Sequence, residues 1–597
     1  MDFRTYLDSL AKPDSFRPTG YGKEMYLDAM ELSLNGYTRQ ELEAKCPKNG
    51  GLPDDIQAFS RLAALTGFLL ANGRVPEYKE LWLDMMDICS GSYRLIRDNH
   101  RNDFAVKEFM LAYKAAGHLA EEVRRSAWME QLRLVDPWLN YDCRLRTGTD
   151  RRLHNINVYN MAGEWLRQTE GLTDTADYFR AHLPLQLSWF DSNGMYMDPG
   201  NPLMYDAMTR LQAAIMLHYG YAGPYAEVLD ANLEKGGIIS LFMQSAAFEA
   251  PFGGRSNQFL FADAVYAALF EYEASRYKRR GDLRTAGIFK RAARLAMASA
   301  ERWLQAKPPR HMRNSYPPRS GYGTEAYAFY EKYMATLGTN AYLAFLFADD
   351  SIEEHPCPAE TGGYCMQTSE HFHMIIVNCG GYSVQIDANA NDKYDAAGLG
   401  RIHRAGFPTE LALSTPFTSE SGYALPDNVQ RAMASISPGW NAGDGTVQFL
   451  SSLKQPIGYA LEVLEESRER AVFRIIYTSP QLRGCEAVAE QYAVSADGVA
   501  IEAELIAPSV PEMYYQLPLF AWNGQEKGEI TAASCGAQVA MGEFVYGVET
   551  SGELEVESRT IGNRNGLYRL ALAASGQPAI GLKLRLKEPG SGGDDCR

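Results

Sequence analysis

Apolar residues recur at helical spacing through the first part of the chain. Between about residues 55 and 350 they fall at steps of three and four, as in Ile56, Phe59, Leu62, Leu65 and Leu69. The links between these stripes are short and rich in Gly, Pro, Asn and Asp, and short links favour antiparallel pairs of helices. No repeat of fixed length is visible, which argues against a regular solenoid. The pattern predicts roughly ten to twelve helices in an all-helical domain.

Beyond residue 350 the pattern changes to the alternation that is typical of β-strands. Met374–Val377 and Tyr382–Ile386 are predicted strands on either side of a Gly380-Gly381 turn, and residues 488–505 form a predicted hairpin that turns at Asp497-Gly498. Such evenly spaced strands favour an antiparallel β-sandwich. We therefore expect a helical domain over residues 1–350, a β-sandwich over 351–588 and a disordered tail over 589–597.

Composition narrows the classes of partner. The chain has 597 residues and a formal net charge of -16, which disfavours nucleic acid. The first residues form neither a basic nor an apolar segment, and no apolar run is long enough to span a membrane, so we expect a cytoplasmic location and no membrane partner. The nine cysteines form no C-x-x-C pair, which is typical of reduced thiols. The oligomeric state stays open, and a homo-oligomer is one option.

Two polar stretches in the helical region are candidates for a site. His154, Asn155 and Asn157 stand at the start of a predicted helix, where amides could donate to a substrate carboxylate or simply cap the helix. Tyr205 follows a turn rich in Gly, Pro and Asn and lies in the first turns of another helix. A phenol has a pKa of about 10 and becomes a useful base only where positive charge lowers it. A packed core tyrosine is the alternative interpretation.

A glycine-rich segment supplies further candidates. Arg255, Asn257 and Gln258 directly follow Gly253-Gly254, and glycines let the backbone approach a ligand while arginine offers a fork to a carboxylate. A helix cap at Ser256 beside a solvated arginine is the structural alternative. Aromatic residues make up 11% of the chain, which is typical of sugar-binding clefts but also of large cores. Tyr322 is included with His154, Asn155, Asn257 and Gln258 as a predicted substrate contact.

Histidines at the start of the β-region suggest a metal site. On a strand His371 and His373 would point to the same face, and Asp387 and His403 follow. Imidazoles with one carboxylate make a plausible zinc set, so we predict that His373, Asp387 and His403 meet near one ion beside His371. Calcium is a weaker option, because the acidic and amide residues from Asp387 to Asp395 lack the central glycine and closing glutamate of an EF-hand loop.

With these motifs the chain resembles the heparinase II/III-like group of polysaccharide lyases. The resemblance rests on Asn157, on the Asp-x-x-Gly turn before Tyr205 and on His371-Phe372-His373, and it spans roughly residues 50 to 590 in architecture. It implies an (α/α) toroid, an incomplete barrel of helical hairpins, followed by an antiparallel β-sandwich, with the cleft between them. Where the family often shows H-x-H-x-D, Met374-Ile375 follows His373 here.

The resemblance implies β-elimination on a uronic-acid-containing oligosaccharide, with no cofactor required for the chemistry. Asn157 and Arg255 would neutralise the uronate carboxylate, while Tyr205 and His371 would share the base and acid roles. One alternative is a glycoside hydrolase on the same toroid with a carboxylate pair. Its candidate acids are Glu164, Asp206, Asp263 and Glu325. A noncatalytic sugar-binding protein is the third option.

Overall fold

The computed structural model describes residues 2–48, 51–97, 99–141 and 154–588. Its helices are α1 (Phe3–Ser9), α2 (Glu24–Leu34), α3 (Arg39–Ala44), α4 (Ile56–Ala71), α5 (Lys79–Ser92), α6 (His100–Ala116), α7 (Glu122–Arg133), α8 (Pro137–Asn140), α9 (Ile156–Thr169), α10 (Ala176–Leu187), α11 (Leu203–His218), α12 (Ala226–Met243), α13 (Phe261–Arg279), α14 (Leu283–Ser299), α15 (Glu301–Leu304), α16 (Tyr330–Phe347) and α17 (Pro358–Thr361). None of the helices described is both long and apolar enough to cross a membrane.

The long helices form an inner ring with an outer layer around it. Helices α4, α6, α9, α11, α13 and α16 contact one another in this order, and α16 packs back on α4, so the inner layer closes. Helix α4 is buried on all sides from Ile56 to Leu70, as expected of an inner helix. Helix α7 buries only Trp128 and Leu132 and packs outside on α5. In this ring α4 stands opposite α11, and α16 stands opposite α9.

The second half consists of antiparallel strands. They are β1 (Tyr364–Gln367), β2 (Met374–Cys379), β3 (Tyr382–Asp387), β4 (Gly398–Arg404), β5 (Ser437–Asn441), β6 (Val447–Phe449), β7 (Gly458–Glu466), β8 (Arg470–Thr478), β9 (Ala487–Ser495), β10 (Gly498–Ile506), β11 (Met513–Trp522), β12 (Glu529–Ala533), β13 (Gly536–Met541), β14 (Phe544–Thr550), β15 (Glu553–Gly562), β16 (Leu567–Ser575) and β17 (Ala579–Lys587). They form sheets of order β1-β2-β3-β4, β12-β13-β14-β17-β10-β9-β8-β7 and β15-β16-β11-β5-β6.

The four-stranded sheet joins the two halves of the molecule. Strand β2 is buried along its whole length, and its side chains alternate between two cores. Met374 and Ile376 belong to the core of the helical domain, whereas Ile375 and Val377 belong to the core of the sandwich. Because successive strand residues face opposite sides, this one strand seals both cores and fixes the sandwich against the toroid.

The predicted fold class is confirmed: the chain runs from a helical toroid into antiparallel sheets. The hairpin predicted to turn at Asp497-Gly498 is the β9–β10 pair, whose register joins Ser495 to Gly498. A short helix, α17, lies beyond residue 350, and the first strand begins at Tyr364. The predicted tail over residues 589–597 lies outside the described residues.

Candidate active site

A cavity of 390 Å³ opens within the helical ring, on residues from all six inner helices and from three loops. Its described lining residues are Gln57, Arg61, His100, Phe104, His154, Asn155, Ile156, Tyr159, Tyr205, Met208, Arg255, Phe261, Tyr327, Lys332, Tyr333 and Thr336. They include two arginines, one lysine and two histidines, but no aspartate or glutamate. In a protein with a net charge of -16, this wall is suited to an anionic ligand.

The side chain of Asn155, at the start of helix α9, is buried without a hydrogen-bond partner among the described residues. The residue is 1% exposed and lines the cavity, yet neither Oδ1 nor Nδ2 has a hydrogen-bond partner among the described residues. Its backbone N–H donates to Asp198 Oδ1 at 2.9 Å, so the helix start is satisfied by Asp198 and not by the Asn155 side chain. A buried amide without a partner is costly unless a ligand completes it.

A strained loop between α12 and α13 carries Arg255 into the cavity. Gly254 has a φ of +69°, and a Cβ there would meet the backbone of Pro202 at 2.6 Å, so only glycine fits. Ser256 has a φ of 59°, which is unfavourable for a residue with a side chain. The loop is held by two carboxylates: Gly254 N donates to Asp395 Oδ2 at 2.6 Å, and Ser256 N donates to Glu325 Oε1 at 2.7 Å.

Tyr205, in the first turn of α11, is the centre of a group of polar side chains. Its hydroxyl lies 3.0 Å from Ser256 Oγ, which in turn lies 2.9 Å from the hydroxyl of Tyr327. The guanidinium of Arg255 lies over the Tyr205 ring, 4.4 Å from its centroid. The guanidinium thus makes a cation–π contact with the electron-rich face of the ring.

Asp198 organises the residues around Tyr205. Its carboxylate is fully buried, forms an ion pair with Arg255 and accepts the Asn155 N–H. Arg255 also donates to the carbonyl of Pro199 at 2.6 Å. Burial would lower the pKa of Arg255, but Asp198 outweighs it and raises that pKa, so the guanidinium remains charged. The His154 Nδ1 lies 3.9 Å from Asp198 Oδ1.

The two predicted histidines do not lie on a strand. Strand β2 begins at Met374, and Phe372 N and His373 N both donate to the carbonyl of Ser369, which makes the segment a turn. His373 has a φ of 44°, so its side chain and that of His371 do not share a face. The prediction of a same-face pair was wrong because the turn interrupts the alternation on which it depended.

His371 and His373 consequently have different surroundings. His371 Nε2 donates to the carbonyl of Asp198 at 3.3 Å, and burial lowers the pKa of His371. His371 does not line the cavity. It contacts Asp198, and Asp198 in turn pairs with Arg255. His373 is bonded to Asp387 Oδ1 at 2.6 Å and to the amide nitrogen of Asn201 at 2.8 Å, an arrangement that a proton on Nδ1 satisfies. Burial opposes protonation of His373, but Asp387 raises its pKa.

The predicted metal ligands do not converge. His403 Nδ1 lies 3.0 Å from Ser245 Oγ, and its Nε2 lies 2.9 Å from Ser414 Oγ, so both ring nitrogens have hydroxyl partners. His373 and Asp387 contact each other without His403. Within the parts of the chain that the structure describes, no three His, Cys, Asp or Glu residues are arranged to hold a metal ion. His403 is separated from His373 by 29 other residues, so the sequence did not constrain the distance between the two side chains.

Several other predicted site residues lie away from the cavity. Asn157 is buried in α9 but is not in the cavity wall. The Asn257 amide donates to the carbonyl of Gly254 at 2.7 Å, and the Gln258 side chain bonds to Ser414 and Asn565, so both brace the loop that presents Arg255. Tyr322 packs edge-on against the ring of Tyr316. Of the predicted contacts, the cavity therefore brings together Tyr205, Arg255, His154 and Asn155.

The four acids considered for a hydrolase are all engaged by arginine. Glu164 pairs with Arg167, Asp206 with Arg210, Asp263 with Arg313 and Glu325 with Arg564, all at 2.6–2.9 Å. Each of the four acids is buried and outside the cavity wall. None of the four can therefore flank a glycosidic bond held in this cavity.

Sequence reasoning missed Arg61, Lys332, Ser256, Tyr327 and Asp198. Arg61 and Lys332 belong to amphipathic-looking helical stretches, and Tyr327 is one of 35 tyrosines, so no local pattern distinguishes them. Ser256 and Asp198 lie inside the two glycine-containing segments that the sequence did single out. A closer weighing of these two segments could have found them.

No protein-family model and no curated protein sequence matches the chain. Among solved structures, heparinase III aligns with 98% of this chain and 89% of its own, at 8% identity and a TM-score of 0.48. The chondroitin AC lyase of Streptomyces coelicolor A3, in complex with chondroitin sulphate, covers 99% of this chain and 82% of its own, at 12% identity and a TM-score of 0.48. A family 88 glycosyl hydrolase from Bacteroides vulgatus covers 55% of this chain and 100% of its own, at 12% identity and a TM-score of 0.39. These similarities concern the course of the backbone, and the activity of this chain has to be inferred from its own residues.

Proposed function

We propose that the protein is a lyase that cleaves a uronic-acid-containing oligosaccharide by β-elimination. One observation carries the proposal: the cavity joins a phenol under a guanidinium, an unpartnered buried amide and further cations, and no described carboxylate lines it. Most glycoside hydrolases use two carboxylates at the scissile bond. Elimination instead needs a base, an acid and groups that withdraw charge from the substrate carboxylate.

Asn155 is the residue that we assign to the substrate carboxylate. The C5 proton of a uronate is α to this carboxylate and is hardly acidic while the charge remains unshared. The unpartnered Nδ2 of Asn155 can donate to the carboxylate oxygen, where charge increases as the C5–H bond breaks. Asn155 therefore takes the role that the family resemblance implied for Asn157, which is not part of the cavity wall.

Tyr205 is the residue that we assign to proton transfer. As the phenolate it accepts the C5 proton, the C4–O4 bond breaks, a C4–C5 double bond forms, and the phenol returns the proton to O4. Arg255 above the ring stabilises the phenolate. Hydrogen bonds link Tyr205 through Ser256 to Tyr327, a residue that is 42% exposed, and we propose this chain as the route by which the phenol proton leaves.

The first test is Tyr205→Phe, with Tyr322→Phe as the matched control outside the cavity. We expect Tyr205→Phe to lower turnover by about 10²–10⁴-fold, the usual value of a positioned acid or base, and Tyr322→Phe to leave it unchanged. Activity is followed by the ultraviolet absorbance of the unsaturated uronate, on a panel of uronic-acid oligosaccharides with product masses recorded. Product without the double bond would replace elimination with hydrolysis. Binding without turnover of any sugar would favour a sugar-binding protein.

A second pair of variants compares the two histidines near Asp198. His154 lines the cavity and His371 does not. His154→Ala should therefore lower turnover more than His371→Ala, whose effect acts through the position of Asp198. A larger loss in His371→Ala would return His371 to the acid or base role that the family resemblance implied.

A further inference from the structure

Two cations in the cavity wall, Arg61 and Lys332, take no part in the proposed elimination. Arg61 belongs to α4 and Lys332 to α16, which are neighbours in the inner ring, and α4 stands opposite the helix of Tyr205. Both side chains line the same cavity as Tyr205 and Arg255. The lining also includes aromatic and apolar residues, among them Phe104 and Met208.

The charge of Arg61 is incompletely matched by the protein. Arg61 is 4% exposed, and its Nη1 donates to Thr336 Oγ1 at 2.8 Å. Its Nε has no hydrogen-bond partner among the described residues. The nearest carboxylate, Glu108, lies 3.7 Å from Arg61 and is also bound by Lys107 at 2.9 Å. One carboxylate thus serves two buried cations.

Lys332 has the same arrangement. It is 6% exposed, and its Nζ lies 3.2 Å from Asp55 Oδ2. Arg101 approaches the same carboxylate at 3.9 Å, so again one acid serves two cations. Arg61 and Lys332 therefore give this side of the cavity an excess of positive charge in a place from which water is largely excluded. Buried charge of this kind is stabilised by an opposite charge of a ligand.

We propose that Arg61 and Lys332 form a second anion-binding subsite, which holds a carboxylate or sulfate group on a sugar next to the uronate at Tyr205. The proposal rests on the proposed function for the identity of the first sugar. It narrows the substrate to short oligosaccharides in which the uronate adjoins another anionic residue. A cavity of 390 Å³ lies near the lower end of the range for small-ligand pockets, which suits a short acidic fragment.

The test measures binding to the Tyr205→Phe protein by calorimetry, so that it does not depend on turnover. Three disaccharides are compared: a uronate joined to a neutral sugar, to a second uronate and to a sulfated sugar. We expect one or both dianionic ligands to bind about 10- to 100-fold more tightly than the monoanionic one, the range of a charged hydrogen bond. The last two ligands distinguish carboxylate from sulfate.

Arg61→Gln and Lys332→Gln, each added to Tyr205→Phe, should remove this preference and leave the affinity for the monoanionic ligand nearly unchanged. Arg124→Gln is the matched control, because it removes the same charge from the outer helix α7 and leaves the carboxylates shared by Arg61 and Lys332 untouched. Thermal unfolding shows whether each variant is folded. If Arg61→Gln does not fold, Lys332→Gln alone tests the subsite.

Equal binding of all three ligands, absence of binding, or an equal loss in Arg124→Gln would overturn the subsite. A preference for dianionic ligands in a protein that forms no unsaturated product would keep the subsite and reject the elimination. Unsaturated product without any such preference would keep the elimination and reject the subsite.

Discussion

The two sides of the cavity treat charge differently. On the side of α11, Arg255 is matched by Asp198, and each member of the group around Tyr205 except the Asn155 side chain is fixed by a neighbour. On the side of α4 and α16, Arg61 and Lys332 each share one carboxylate with another cation. A site of chemistry needs fixed geometry, whereas a site that recognises charge needs unmatched charge. The contrast assigns reaction to the first side and recognition to the second.

The contrast can be broken first at Asn155, the one member of the α11 side whose side chain is not fixed. Asn155→Ala should lower kcat by about 10²–10³-fold, as the loss of one donor to a developing oxyanion does. It should hardly change stability, because the side chain makes no hydrogen bond among the described residues. Steady-state kinetics and thermal unfolding measure the two effects.

Asn157→Ala is the control for this prediction, since Asn157 lies in the same helix but outside the cavity wall. Turnover that falls in Asn157→Ala and persists in Asn155→Ala would restore the role that the family resemblance implied for Asn157.

Asp198 gives the next largest expected effect, because it positions other residues and does not line the cavity itself. Asp198→Asn keeps the shape but removes the charge that holds Arg255 over the Tyr205 ring. We expect kcat to fall by up to about 10²-fold with little change in KM, which is the effect of a misplaced catalytic group. Asp191→Asn, in the preceding turn, is a matched control. A change in KM alone would show that Asp198 serves binding.

The sequence predicts those parts of this contrast that depend on neighbouring residues, and misses those that depend on contacts between distant ones. The ring of helices follows from periodicity, and the glycines at positions 253 and 254 indicated the loop that carries Arg255. The pairing of α4 with α16 joins residues that are far apart in sequence, so the excess charge at Arg61 and Lys332 has no local signature. The prediction that His373 shares a face with His371 failed for a related reason, because the alternation of residues gives no sign of a left-handed φ in a turn.

The choice between Asn155 and Asn157 shows the limit of a motif. Both are amides in the same short segment, and sequence alone does not decide which one begins the helix. The carboxylate of Asp198, distant in sequence, accepts the Asn155 N–H and leaves its side chain unused for capping. Tertiary contact, and not local propensity, makes Asn155 available to a ligand.

The recognition side should depend on pH through Lys332. Burial lowers the pKa of Lys332 to about 8, with Arg61 acting in the same direction and Asp55 against it, while Arg101 also faces this group. The ammonium is present below that pH and is lost as the pH rises through it. Affinity for a dianionic disaccharide should therefore fall by about tenfold between pH 7 and pH 9, as expected for loss of one charged contact.

Lys332→Arg is the control for the pH profile, because a guanidinium stays charged over this range. Calorimetric titrations of the Tyr205→Phe protein between pH 6 and pH 10 measure both profiles. The same decline in the Lys332→Arg variant would place the titrating group at another residue.

The smallest effect is expected at Ser256, which links Tyr205 to Tyr327. Ser256→Ala removes one hydroxyl from the route of the phenol proton, and we expect kcat to fall by about 3- to 10-fold, as the loss of one neutral hydrogen bond does.

The backbone strain at Ser256 remains in the alanine variant, because its φ of 59° is equally unfavourable for alanine. Ser256→Gly removes the same hydroxyl and relieves the strain, so it should be the more stable of the two variants while showing the same loss of kcat. Thermal unfolding and the solvent isotope effect on kcat measure the two properties separately. Equal kcat in wild type and both variants would mean that the proton of Tyr205 does not pass through Ser256, and the chemistry on the α11 side would then depend on Tyr205 and Arg255 alone.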